Sequence, residues 1–255
     1  VMIDSHCHLD LPAFKNDVDD VIARSEKAGV VRFLVPGTTP KGWQRQSVLR
    51  QRYPQVDIAF GLHPYFDTSM QTKSLDALNA WLYDAHEDAV AIGEIGLDAT
   101  VSTPVKTQQY IFAQQLQLAK EYQLPVILHH RKTHHLLHAS LKQENFEGGG
   151  IIHAFSGSQQ QAEKYIERGF LLGVGGTITY DRATKTRGAL ASVPLSSLVL
   201  ETDSPDMPVA GYQGQRNTPE RLLDITNALA SLLDTGPEQI IQQTTDNYHR
   251  LFVRR

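Results

Sequence analysis

Cysteine is nearly absent: Cys7 is the only one among 255 residues, so no disulfide can form within the chain. That excludes a disulfide-stapled scaffold, and a reducing, cytoplasmic setting is the simplest expectation. Long apolar runs are missing as well. None approaches the roughly 20 residues needed to cross a bilayer, so no membrane partner is expected. The opening Val1-Met2-Ile3-Asp4 lacks the basic and apolar regions of a signal peptide. Positive charge is not in excess either. A formal net charge of −4 provides no global basic field to gather nucleic acid. This argues against a tight, non-specific DNA binder. It does not exclude a nuclease, because divalent cations would supply positive charge locally at a phosphate. The basic residues Arg182, Lys185 and Arg187 read as a solvated helix face. Pro- or Ser-rich linkers and low-complexity tracts are also lacking, so residues 1–255 are read as one domain. With 41% hydrophobic and 20% charged residues, the chain has the profile of a soluble globular protein of ordinary barrel size. No obligate protein partner is implied.

What is present is a repeating architecture. Short apolar, β-branched runs recur at Met2–Ile3, Val30–Val35, Val56–Phe60, Ala89–Ile92, Pro125–Leu128, Ile151–Ile152, Phe170–Val174 and Leu198–Leu200. Their continuous apolar character suits parallel strands covered on both faces. Helical patterns lie between them. Asp17 to Lys27 places Val18, Val21 and Ile22 on one face before Gly29, and Lys106 to Tyr122 is amphipathic before Pro125. Gln159 to Arg168 and Thr218 to Leu233 read the same way. Such alternation predicts a (β/α)₈ TIM-type barrel or an open doubly wound sheet.

Residues with metal-ligand chemistry sit at the ends of these runs. The first leads into His6-Cys7-His8, the fourth into Glu94, the fifth into His129, the sixth into His153 and the eighth into Asp203. In a parallel barrel all strands finish at one rim, so residues distant in sequence would converge there. That regularity favours the barrel and a metal site. On an extended strand His6 and His8 would share a face, and Cys7 would alternate away into packing. Glu94, flanked by Gly93 and Gly96, can bridge two cations. Asp203 can ligate through one oxygen and accept a proton from an activated water with the other. Neutral imidazole suits zinc or manganese, and carboxylates also admit magnesium. Glu201, two residues before Asp203, would share its face on a regular strand, and both Asp4 and Glu201 are candidates to orient ligands. His63, Arg131 and Ser156 are candidate substrate contacts, the last two for a phosphate or oxyanion. His134, His135 and His138 fall in a helical segment and are expected to face solvent or to cap.

These motifs resemble the TatD family of metal-dependent deoxyribonucleases, within the amidohydrolase-like barrels. The resemblance rests on Asp4-Ser5-His6-Cys7-His8-Leu9, Gly61-Leu62-His63-Pro64, Gly93-Glu94-Ile95-Gly96-Leu97-Asp98 and His129-x-Arg131. It continues through His153-Ala154-Phe155-Ser156-Gly157, Leu200-Glu201-Thr202-Asp203-Ser204-Pro205, Asn217-Thr218-Pro219 and Asn247-Tyr248-His249-Arg250-Leu251-Phe252. It implies a single-domain TIM-type barrel with two divalent metal ions. His6, His8, Glu94 and Asp203 would hold one, and Glu94, His129 and His153 the other. It also implies hydrolysis of phosphodiesters, commonly DNA from a 3′ end, with Asp203 and Glu94 as catalytic residues. Two departures bear on substrate preference. Ala99-Thr100 follows Asp98 where the family often has an aromatic residue, and His130-Arg131-Lys132 follows His129 where many members have a small residue and then Arg-Asp or Arg-Glu.

Three function classes follow. A phosphodiesterase acting on DNA leads. An amidohydrolase-type enzyme would use the same activated water on a small amide, lactone or ester. A non-enzymatic metal-dependent binding protein would keep the ligands without turnover.

Overall fold

A computed structural model describes residues 1–66 and 72–252. Eight parallel strands follow one another in sequence order in one sheet, with helices between them: the (β/α)₈ pattern that the alternation predicts. The strands are β1 (Met2–Asp4), β2 (Val30–Pro36), β3 (Val56–Phe60), β4 (Ala89–Asp98), β5 (Val126–Arg131), β6 (Gly150–Ile152), β7 (Phe170–Val174) and β8 (Leu198–Leu200). The chain divides into two compact units, residues 1–35 with 154–255 and residues 36–153.

In the first unit, β1 pairs with β2 and β7 with β8, both in parallel. The Ser5 amide donates to the Leu200 carbonyl at 2.9 Å, which sets the end of β1 beside the end of β8. The first helix, α1 (Val18–Lys27), buries Val21, Ile22 and Ser25, close to the face its spacing predicts. Two motif asparagines act on backbone. Asn217 Nδ2 donates to the carbonyls of Thr202, Asp206 and Met207, clasping the segment after β8. Asn247 Nδ2 donates to the carbonyls of Leu195 and Leu198, fixing where β8 begins.

In the second unit, β3 to β6 form a continuous parallel run. Helix α2 (Pro40–Arg52) has no visible apolar period in sequence. Its buried face carries Gln46 beside Trp43 and Leu49, and Gln46 Nε2 donates to the Ala59 carbonyl at 2.7 Å. Helix α3 (Thr72–Ala85) follows, and then α4 (Val105–Glu121), which buries Gln108, Ile111, Phe112, Gln115, Leu116 and Ala119. The two glutamines are clamps. Gln108 accepts from the Asp98 amide at 2.8 Å and donates to the Asp98 carbonyl at 2.9 Å. Gln115 accepts from the Leu62 amide at 2.8 Å and donates to the Leu62 carbonyl at 3.3 Å. Backbone that leaves the ladder inside a protein must find other partners, and these amides provide them.

The remaining helices are α5 (His134–Gln143), α6 (Gln159–Glu167), α7 (Thr184–Ala191), α8 (Leu222–Leu232) and α9 (Pro237–Leu251). A Ser158–Gln161 capping box opens α6. Thr218 does not begin a helix; a 3₁₀ turn at Pro219–Arg221 precedes α8.

Three further expectations change. Strand β4 does not stop at Ile92 but runs to Asp98, so Glu94 lies within it. His6 and His8 follow the last residue of β1 instead of lying on a regular strand. His138 does not face solvent, because both of its ring nitrogens are buried.

Gly96 shows how sequence enforces the β4–β5 contact. It pairs with His129, has φ +143°, and a Cβ there would run into the His129 carbonyl oxygen. Gly96→Ala is therefore expected to cost about 1–3 kcal/mol in urea unfolding, in the range of a core overpacking defect. Gly188→Ala, in α7 with open space around the added methyl, should instead gain about 0.5–1 kcal/mol.

Candidate metal centre

In the first unit the chain past β1 meets the chain past β8. His6 Nε2 lies 3.2 Å from His8 Nε2, and the two nitrogens are 3.5 and 3.3 Å from Asp203 Oδ1. Both imidazoles are buried. The backbone bends to achieve this: Asp203 has φ +58°, a conformation aspartate tolerates better than most residues. The Asp203 amide donates to the His6 carbonyl at 2.8 Å and the His8 amide to the Ser204 carbonyl at 2.8 Å, so the two segments hold each other.

Asp4 organises this junction. It accepts from the His6 amide at 3.2 Å, the Thr202 amide at 3.0 Å and the Thr202 hydroxyl at 2.6 Å. Burial pushes its carboxyl up to about 7 even though these bonds favour the anion. Its contacts are to backbone and Thr202. Cys7 is fully buried with Sγ 3.7 Å from the Leu34 carbonyl, and burial raises its thiol well above the usual range. An inert packing role follows.

Glu201 does not share Asp203's face, because β8 ends at Leu200 and the chain turns before Asp203. Instead Glu201 Oε1 accepts the Ala154 amide at 2.5 Å. A Cβ on Gly173 would collide with its carboxyl group, so that glycine makes room for a buried polar side chain.

The second unit builds a donor group around Glu94 Oε2. His63 Nε2 lies 2.9 Å from it, His129 Nδ1 3.2 Å and His153 Nε2 3.8 Å. The Tyr65 amide donates to His63 Nδ1 at 2.9 Å, which directs Nε2 toward Glu94. His63, expected as a substrate contact, thus stands inside a donor cluster.

Asp98 is the functional residue that the sequence reading passed over. It accepts from His129 Nε2 at 2.8 Å, leaving Nδ1 to face Glu94. Burial would raise the Asp98 carboxyl, but hydrogen bonds from His129 and Thr100 outweigh burial and hold it well below the usual carboxylate range. On His129, burial would lower the pKa, and Asp98 and Glu94 overcome it to raise the pKa. The available signal was its place at the end of the Gly93–Asp98 motif.

Arg131 is exposed at the end of β5, its carbonyl accepting the Ala99 amide at 3.0 Å. Ser156 is exposed in the loop after β6. The structure brings neither into the donor groups.

The donor chemistry fits metal. Three donors each about 2.1 Å from one cation at tetrahedral angles stand about 3.4 Å apart. The His6, His8 and Asp203 atoms are 3.2 to 3.5 Å apart. In both His6–His8–Asp203 and His63–Glu94–His129 one ligand atom from each residue lies within 4.8 Å of the others, close enough to share a cation. A carboxylate behind a ligating imidazole, as Asp98 stands behind His129, is a frequent companion of such sites.

The family model for TatD related DNase matches residues 3–253. The chain belongs to the TatD family. It is 43% identical over 251 residues to the uncharacterized metal-dependent hydrolase YjjV of Escherichia coli K12, covering 98% of this chain and 97% of that one. It is 32% identical to the 3′-5′ ssDNA/RNA exonuclease TatD of Salmonella typhimurium, covering 98% of each chain. The crystal structure of YjjV superimposes with a TM-score of 0.95 at 42% identity, over 100% of this chain and 98% of that chain. The protein is thus a metal-dependent hydrolase on a TIM-type barrel, as the motifs imply. Among its described residues no helix is long and apolar enough to cross a membrane.

Asp98→Asn keeps the size of the side chain and removes its charge from His129. The expected result is a loss of about 10- to 100-fold in metal affinity, read by chelator competition, with an unchanged circular dichroism spectrum. Wild-type affinity in this variant would show that Asp98 does not orient a ligand.

Proposed function

We propose that the protein is a phosphodiesterase, acting on DNA from a 3′ end, with residues 1–255 serving as one catalytic domain. The observation that carries the reading is the convergence of His6, His8 and Asp203 on one point, with donor atoms 3.2 to 3.5 Å apart. The family match and the exonuclease named among the relatives support the choice of bond.

His6, His8, Glu94 and Asp203 would hold one divalent ion, and Glu94, His129 and His153 a second. His63 is placed to ligate or to meet the substrate. Zinc, manganese and magnesium all accept such donors. Bound there, the cations would supply Lewis-acid polarisation of a phosphoryl oxygen and make water acidic enough to attack near neutral pH.

The chain's own residues supply the rest. Asp203 accepts a proton from the attacking water, whose oxygen forms the new bond to phosphorus. The P–O3′ bond breaks, and the proton passes to the departing 3′ oxygen, releasing a 5′-nucleotide and a 3′-hydroxyl end. Arg131 and Ser156 are assigned to the phosphate oxygens, Arg131 as an exposed cation at a strand end. Glu201 holds Ala154, and Asp4 holds the segments that carry His6 and Asp203, through backbone amides.

A 3′-ended single-stranded oligonucleotide, a simple phosphodiester and a lactone panel separate the classes. The metal-loaded protein should shorten the oligonucleotide, and chelation should abolish this until metal is restored. Asp203→Asn and Glu94→Ala should each lower kcat by about 100-fold or more, the scale of a lost general base or of a charge that stabilises the transition state. Turnover of lactones alone would select the amidohydrolase class. Undiminished cleavage by both variants would overturn the mechanism.

A further inference from the structure

A cavity of about 220 Å³ opens in the first unit, lined by Thr177, Tyr180, Arg182, Ala183, Met207 and Pro208. None of these residues belongs to the donor groups or has a role in the steps above. Three features make the cavity a built site. First, Arg182 lies over the Tyr180 ring with its guanidinium 4.6 Å from the centroid, a planar cation already stacked on an aromatic face. Second, the walls are fixed. The Tyr180 hydroxyl donates to the Pro208 carbonyl at 2.6 Å, the Thr179 hydroxyl to the Gly176 carbonyl at 2.6 Å, and Asn217 grips the Asp206 and Met207 carbonyls. Third, Met207 and Pro208 stand four and five residues after Asp203 in one turn, closed by the Asp206 amide on the Asp203 carbonyl at 2.9 Å. The cavity wall and the proposed proton acceptor therefore belong to one pinned segment.

The local charge is opposite to that of the whole chain. Residues 177–187 contain Arg182, Lys185 and Arg187 against the single acid Asp181, in a protein of net charge −4. Arg187 is drawn inward by a hydrogen bond to the Ile178 carbonyl, whereas Arg182 and Lys185 are exposed. A solvated helix face does not account for Arg182, which precedes α7 and lines the cavity. A flat aromatic and a thioether on the walls, a hydroxyl at Thr177 and a cation at the rim suit a planar heterocycle attached to an anionic group. They suit a small lactone or simple ester poorly, since neither brings negative charge.

We propose that this cavity is a nucleotide subsite, taking one base beside Met207 and the Tyr180–Arg182 stack with the attached phosphate at the Arg182 guanidinium edge. The assignment rests on the phosphodiester reading and extends it: strand binding would come from stacking, which tolerates any base, together with one local cation. A chain without a global basic field would then still hold a single strand, on a wall formed by the segment that follows Asp203.

The probe is dAMP, titrated into metal-free protein by isothermal calorimetry, with deoxyadenosine alongside. Wild-type protein should bind dAMP more tightly than deoxyadenosine. Arg182→Ala should weaken dAMP about 10-fold and leave deoxyadenosine unchanged. Arg182→Lys should recover part of the loss, and Tyr180→Leu should weaken both ligands. Arg182 is exposed, so a wild-type melting temperature is expected for its variants. Oligonucleotide cleavage by the metal-loaded protein is measured separately. Binding of dAMP that depends on Arg182, without cleavage of any oligonucleotide, would overturn the phosphodiester reading and leave the nucleotide site standing. Cleavage by a protein that binds no dAMP, or binds it equally after Arg182→Ala, would overturn the subsite and spare the reading.

Discussion

The site depends on buried backbone that has left the strand ladder and must still be hydrogen-bonded. A barrel strand satisfies its amides through its neighbours only while it remains a strand. His6, His8, His63, His153 and Asp203 all lie beyond the last residue of a strand. An unpaired buried amide or carbonyl costs about 1–3 kcal/mol, so these segments would be expensive without substitutes for the ladder. The substitutes are side chains. Asp4 serves the amides of His6 and Thr202, Gln115 both backbone groups of Leu62, Glu201 the amide of Ala154, and Asn217 the carbonyls around Asp206. The polar residues around the donors are therefore first a backbone scaffold, and the donors inherit their positions from it.

Charge follows the same logic. Carboxylates buried beside imidazoles are stabilised only by hydrogen bonds or by cations. Asp98 keeps its charge through His129 and Thr100, and in doing so fixes which nitrogen of His129 faces Glu94. Asp203 and Glu94 each lie against more than one imidazole, an arrangement that favours a cation at their centre. Acid strength, ring orientation and metal affinity are thus one coupled property.

Substrate choice lies outside this scaffold. The donor groups describe a way to activate water and leave open the bond attacked. The Tyr180–Arg182 cavity adds discrimination by shape and local charge, on a segment that the Asp203 turn shares. Such a feature is informative because specificity on this fold resides in loops past the strands.

By itself the sequence determined the eight-fold alternation and the parallel character of the strands, and it singled out candidate donors at the strand ends. Each of these is written in local periodicity or in a motif at the end of an apolar run. It determined less about how the donors are aimed. Treating His6–His8 and Glu201–Asp203 as positions on regular strands placed each pair on one face, whereas β1 and β8 end earlier and the chain bends. Helix α2 escaped notice because its buried face carries Gln46, which is there for a hydrogen bond and not for apolar area. The bond from Asp98 to His129 and the stacking of Arg182 on Tyr180 were likewise decided only in three dimensions. The physical reason is common to all of them: periodicity reports which side of an element is apolar, while a buried polar group is positioned by a partner that local sequence does not reveal.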